Sequence, residues 1–192
     1  MSLATQTPTI RSSRPAKAND VIAITSAATA AGISVKHYGD GIYRTAVFTL
    51  TNASIPWVDN GASGGYAALQ LGDWPLGLLD VRGALVNFTA VNGGAGIGAS
   101  GTLKYSLGTA AEATGDTLDS TQADLLASTS ITLSSSAGTS TGATTAGVIS
   151  NGSTTAKDLY LNFGASATDS TASGTLTVTG TIDITYGILG AK

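Results

Sequence analysis

The residues able to do chemistry are few, and nucleophilic catalysis is the first test of their spacing. Gly61-Ala-Ser-Gly-Gly65 matches the G-x-S-x-G string of a nucleophile elbow, with Ser63 at its centre. Such a serine needs an imidazole to take its proton, and in that fold the order is Ser, acid, His. The only histidine, His37, lies upstream. Other hydrolases place His before Ser, with Asp40 or Asp59 as a third member here, but no further feature supports that arrangement. A flexible turn between two strands is the simpler reading, because this string arises by chance in Gly/Ser-rich sequence.

Phosphate and metal chemistry fare no better. Gly96-Ile-Gly98-Ala-Ser-Gly101 matches G-x-G-x-x-G, yet a dinucleotide site requires a helix after the last glycine, whose N-terminus receives the pyrophosphate. The residues after Gly101, Thr102-Leu-Lys-Tyr-Ser-Leu107, alternate as a strand does, so the glycines read as a loop. Zinc at His37 would lack any thiolate, since the chain has no Cys. His37 reads instead as a turn residue in Lys36-His-Tyr-Gly-Asp40. Asp116, Asp119 and Asp124 form a local acidic cluster that invites oxygen-only calcium binding. They lack the ligand spacing and central Gly of an EF-hand loop, and solvated or capping carboxylates are the expectation. The cofactor expectation is none.

Trp57 and Trp74 are the only tryptophans, and each borders a proline, in Ile55-Pro-Trp-Val58 and Asp73-Trp-Pro-Leu76. Both fall at strand ends. Three roles are open to them: core plugs at the ends of a β body, anchors at a subunit interface, or a stacking platform for sugar.

Composition narrows the scaffold. Of 192 residues, 105 are Thr, Ser, Gly or Ala, and only 11% are charged, against roughly 25% in an ordinary soluble domain. A helical bundle would need Glu, Lys and Leu, whereas this chain has one Glu, Glu112. A disordered polyelectrolyte would need high net charge, and the net is −3. An all-β protein with a Thr-rich surface remains. Absence of Cys excludes a disulfide framework and mildly disfavours secretion. The first 18 residues carry Arg11, Arg14 and Lys17 but no apolar run of signal-peptide length, and no stretch is apolar enough to span a membrane. Manufacture in a cytoplasm is expected. Without export, the Asn-x-Ser/Thr strings at Asn52, Asn87 and Asn151 are background. Beyond residue 44 the body has Arg82, Lys104, Lys157 and Lys192 against ten acids, which argues against nucleic-acid binding.

Residues 1–20 read as an extended basic arm, with neither the helical nor the strand period. Residues 21–192 read as the β domain. Residues 42–51 alternate, with Ala46, Phe48 and Leu50 on one face. In the C-terminal run Leu176, Val178, Ile182, Ile184 and Tyr186 share a face opposite Thr175, Thr177, Thr179, Thr181, Asp183 and Thr185, with a bend expected at Gly180. Between them, strands are expected at 66–71, 78–91, 103–107 and 159–163, with shorter ones at 21–24, 33–35 and 131–133. The apolar phase slips within 78–91, from Leu79 and Val81 to Val86 and Phe88, and Gly83 is the natural site of a compensating bulge. A single helical turn is expected near Ser120, and residues 134–147 read as a mobile low-complexity loop. Eight or nine strands fit a two-sheet antiparallel sandwich of jelly-roll size.

The order of several segments resembles a family of small structural proteins of tailed bacteriophages, the capsid decoration or cement proteins. The matching strings are Gly32-Ile-Ser-Val-Lys-His-Tyr38, Leu107-Gly-Thr-Ala-Ala111, Leu118-Asp-Ser-Thr-Gln-Ala-Asp124, Asp158-Leu-Tyr-Leu-Asn-Phe163 and Gly174-Thr-Leu-Thr-Val-Thr-Gly-Thr-Ile182. The resemblance implies a non-enzymatic virion protein with a jelly-roll-like domain. It implies a homotrimer at local three-fold positions, bridging copies of the major capsid protein and often reaching them with an extended N-terminal arm. On position alone, Arg11, Arg14 and Lys17 would be the capsid contacts. The alternative is a fibre or tail-associated β-sandwich that binds host glycans through Trp57, Trp74 and Tyr66, and a hydrolase using Ser63 is the enzyme alternative.

Overall fold

The computed structural model describes residues 25–26, 32–39, 43–92, 96–98, 101–133, 137–144, 148–151 and 157–190. The basic arm with Arg11, Arg14 and Lys17, and the strand expected at 21–24, lie outside the described residues. Eleven strands are described: β1 (Thr25–Ser26), β2 (Ile33–Tyr38), β3 (Tyr43–Asp59), β4 (Gly65–Asp73), β5 (Gly77–Asn92), β6 (Thr102–Gly108), β7 (Leu126–Thr132), β8 (Ala137–Thr144), β9 (Val148–Asn151), β10 (Asp158–Ala165) and β11 (Gly174–Gly190). Single 3-10 turns at Gly61–Ser63 and Ser120–Gln122 are the helical elements among the described residues.

Every pairing is antiparallel, along the path β7-β6-β10-β4-β3-β11-β5-β8, with β1 on β4, β2 on β3 and β9 on β5. The two ends of the path, β7 and β8, come side by side without a shared ladder, so the sheet is nearly closed into a barrel. The joint between its two walls is β3, which pairs with β2 and β11 over most of its length and reaches β4 only through Val58 and Asp59.

Alternation dictates the inside. From β11, Leu176, Val178, Ile182, Ile184 and Tyr186 are buried, and Thr177, Thr181, Asp183 and Thr185 face outward. Phe88 of β5 meets Tyr105 of β6 and Phe163 of β10 edge to face, with ring centroids 5.0 and 5.8 Å apart. These three rings join opposite walls of the barrel. Trp74 packs edge to face on Tyr186 at 5.6 Å.

Two bulges keep the apolar phase pointing inward. On β5, Thr185 is opposite Gly83 but Tyr186 is opposite Val81, so Arg82 is the extra residue. That shift lets Leu79 and Val81 and then Ala84, Val86 and Phe88 all be buried, as the slip in sequence predicts. On β3 the phase changes between Leu50 and Ala53, where Thr51 and Asn52 oppose Thr179 alone. Asn52 takes φ 50°, which Asn tolerates better than most residues, and its amide N–H donates to Thr179 Oγ1 at 3.1 Å. Beside it, position 180 admits only glycine, since a Cβ there would lie 2.2 Å from the Asn87 carbonyl oxygen.

Residues 134–147, expected as a loop, are corrected in part. The segment Ala137–Thr144 is a strand paired with residues 84–91 of β5. Ladder bonds come from the backbone, so a run of Gly, Ala, Ser and Thr joins an existing edge without an apolar side chain to announce it. The turn at Ser120–Gln122 is present, but no side chain caps it, and Leu126 opens β7 rather than continuing a helix.

Candidate functional site

The structure separates the groups a hydrolase would need. His37 of β2 pairs with Ala46, whereas the loop carrying Ser63 comes after Asp59, which pairs with Gly65. Positions 46 and 59 are 13 residues apart on β3, roughly 40 Å along the strand. Ser63 is exposed in the turn between β3 and β4, and its carbonyl accepts from the Asp116 amide at 3.1 Å. The string is therefore a hairpin connection, and Asp40 lies outside the described residues. Gly96 to Gly98 likewise form a loop, tied by the Ile97–Ser170 bridge and leading into β6.

Both tryptophans are core residues, each 1% exposed. Trp57 donates from Nε1 to Ser170 Oγ at 3.2 Å, and that hydroxyl donates to Asp59 Oδ1 at 2.9 Å. The indole lies against Gly65, where a Cβ would meet Trp57 Cζ2 at 2.5 Å. This places Asp59 in a structural chain at the end of the barrel. Neither ring is available at the surface of a single chain for stacking on a sugar or on another subunit.

The three aspartates of the acidic cluster are held apart in separate roles. Asp116 Oδ2 pairs with Lys104 Nζ at 2.8 Å. Asp124 accepts from the Thr109 amide at 2.9 Å and its hydroxyl at 2.7 Å. Asp119 precedes the Ser120 turn without a capping bond from its side chain. Among the described residues no three His, Cys, Asp or Glu side chains converge as metal ligands.

Glu112, the one glutamate, is the group that sequence reasoning passed over. It is 3% exposed, and its Oε1 accepts from the amides of Ala113, Thr114 and Gly115 and from the Thr114 hydroxyl, at 2.7–3.1 Å. Its own amide donates to Asn162 Oδ1 at 2.9 Å. Asn162, fully buried on β10, donates in turn to the carbonyls of Ala110 and Gln122. The pair fixes the long connection between β6 and β7 onto β10. Its only sequence signal is that a chain this poor in Glu keeps one in a polar loop.

At the opposite end of β10, Asp158 and Asp73 are directly cross-strand, with Tyr160 donating to Asp158 Oδ2 at 2.8 Å and Gln70 to Asp73 Oδ1 at 3.0 Å. Burial first, then the hydrogen bond and charge of Asp158, raise the Asp73 carboxyl above its ordinary 3.8, against the lowering effect of Gln70. Burial, followed by Asp158, pushes the Tyr160 hydroxyl up to about 12. The folded chain therefore holds the Asp73 proton more tightly than the unfolded chain. This contribution favours folding in acid and is lost as pH rises from 3.8 through the raised value. Asp73→Asn keeps an acceptor for Gln70 and offers Asp158 a donor. It is expected to melt above the parent at neutral pH, by a margin that closes in acid; a pH-independent margin in thermal unfolding would contradict this origin.

One outer face runs across β2, β3, β11 and β5. Its rows run Ser34–Thr49–Thr181–Asn87, Lys36–Val47–Asp183–Leu85 and Tyr38–Thr45–Thr185. Tyr38, Tyr43, Leu85 and Val91 are exposed on it. At one corner the Arg82 guanidinium pairs with Asp80 at 2.7 Å, donates to the Tyr43 hydroxyl and lies 5.0 Å over the Tyr43 ring. The chain matches no family model and no curated protein sequence.

Proposed function

We propose that this chain is a non-enzymatic structural protein that coats an assembled shell, and specifically a phage capsid decoration protein binding the major capsid protein. The observation that carries the reading is the outer face of β2, β3, β11 and β5. It is a continuous ladder with Thr rows interrupted by exposed Tyr38, Tyr43, Leu85 and Val91. A face of that kind suits contact with another protein surface, where aromatic and aliphatic side chains supply contact area and hydroxyls satisfy polar groups. The segment order resembling the cement proteins supplies the partner. Under this reading the barrel is a flattened, jelly-roll-like sandwich with β3 as its corner strand. The copies act as trimers on the capsid surface, and residues 1–20 reach neighbouring subunits through Arg11, Arg14 and Lys17.

The mechanism is linkage. A protein that binds the assembled shell but not its free subunits stabilises the shell by about 2.7 kcal/mol per site at a hundredfold excess over Kd. Three joined copies bind as one multivalent ligand and add avidity without new contacts. Deletion of residues 1–20 is expected to leave the body folded and to lower occupancy on expanded shells at least tenfold in co-sedimentation. Unchanged occupancy would remove the arm from the mechanism, and failure of the full chain to sediment with shells would remove the capsid reading. The glycan alternative has no comparable support, because both indoles it relies on are buried.

A further inference from the structure

The outer face has a dent beside the β5 bulge, next to Gly83. It is a depression of about 480 Å3 lined by Thr45, Ala84, Leu85, Asp183 and Thr185, with Arg82 at its rim. Asp183 is the one charged residue in the middle of β11, between Val47 of β3 and Leu85 of β5. Its Oδ1 is buried and accepts no hydrogen bond among the described residues. None of the nearest candidates supplies one among the described residues. Thr45 and Thr185 bond each other through their hydroxyls at 3.0 Å. Arg82 is engaged by Asp80 and Tyr43. Lys36 sits two strands away, about 10 Å across the ladder.

We propose that this depression receives a basic side chain, lysine or arginine, presented by a protein partner. A hydrogen bond from a charged donor to a carboxylate is roughly twice as strong as a neutral one, so a basic side chain complements Asp183. The walls fit the rest of such a side chain. Leu85, 44% exposed, flanks the path of an aliphatic stem beside Thr45 and Thr185, and the charged head meets the Asp183 carboxylate where it lines the depression. A metal ion is the poorer match, since among the described residues Asp183 is the one carboxylate that lines the space. The site stands independently of the capsid reading, because it asks only for a basic side chain.

The test is titration of the isotopically labelled full chain with n-butylguanidinium, monitored by amide and methyl NMR shifts. Saturable shifts at Thr45, Leu85 and Thr185 are expected, with none from n-butanol. Asp183→Asn should weaken the affinity by roughly tenfold or more. Leu85→Ser should weaken butylguanidinium several-fold while sparing methylguanidinium, which has no stem to pack. Absence of shifts in the parent, or equal binding by Asp183→Asn, would overturn the proposal. Binding that appears only in Lys36→Gln would overturn it too, by showing that the carboxylate is already taken by the chain's own lysine.

Discussion

Phe88→Ala is expected to destabilise the fold by about 3–5 kcal/mol and to lower the melting temperature by roughly 6–20 °C. Phe88 is 1% exposed and touches Tyr105 and Phe163 edge to face, so truncation removes two ring contacts as well as buried area. The three rings come from β5, β6 and β10, whose ladders limit how far the walls can relax into the space left behind. Phe88→Leu keeps most of the volume and should lose about half as much. Denaturant unfolding measures both; a loss below about 1 kcal/mol for the alanine variant would mean that the walls close over the gap.

Glu112→Ala should cost about 2–4 kcal/mol, chiefly by leaving the donors around Oε1 without an acceptor. Four donors converge on Oε1, and three of them are backbone amides that the loop cannot re-aim without unfolding locally. Glu112→Gln retains an oxygen for those donors but places an amide N–H2 where Oε2 is buried without a partner among the described residues, so an intermediate loss is expected. Hydrogen exchange separates this from a general weakening. Amides 113–115 should lose protection well beyond the strands of the opposite wall. Uniform acceleration would show that Glu112 acts on the whole barrel rather than on its own connection.

How much of this fold is legible in the sequence depends on whether side chains or backbone do the specifying. In β11 every second residue is apolar on either side of Gly180, and the buried face is read off directly. A bulge near Gly83 is legible because the apolar phase slips around it, although the extra residue in the ladder is its neighbour Arg82. The second slip, between Leu50 and Ala53, is written just as plainly but needs Thr179 of β11 to complete it, a partner 127 residues from Asn52. The strand Ala137–Thr144 is hidden for the opposite reason, since its place is set by the free edge of β5 and not by its own residue types. At the site level, Trp57 and Trp74 admit three roles in sequence, and only packing separates an interior ring from a surface one. Glu112 is marked in sequence only by being the one glutamate, and Asp183 by nothing, because one is defined by the amides around it and the other by a missing donor.

The place of β11 between β3 and β5 has a consequence for synthesis. Both neighbours leave the ribosome long before their common partner: residue 92 ends β5 and residue 174 begins β11. At 5–20 residues per second, those 82 positions correspond to roughly 4–16 s. During that interval the nascent chain holds two long strands with unsatisfied edges, the state most exposed to pairing with other chains. Folding of the sheet centre therefore waits until β11 has been made. Codon usage, chaperone supply and growth temperature, rather than final stability, should set the yield of native protein.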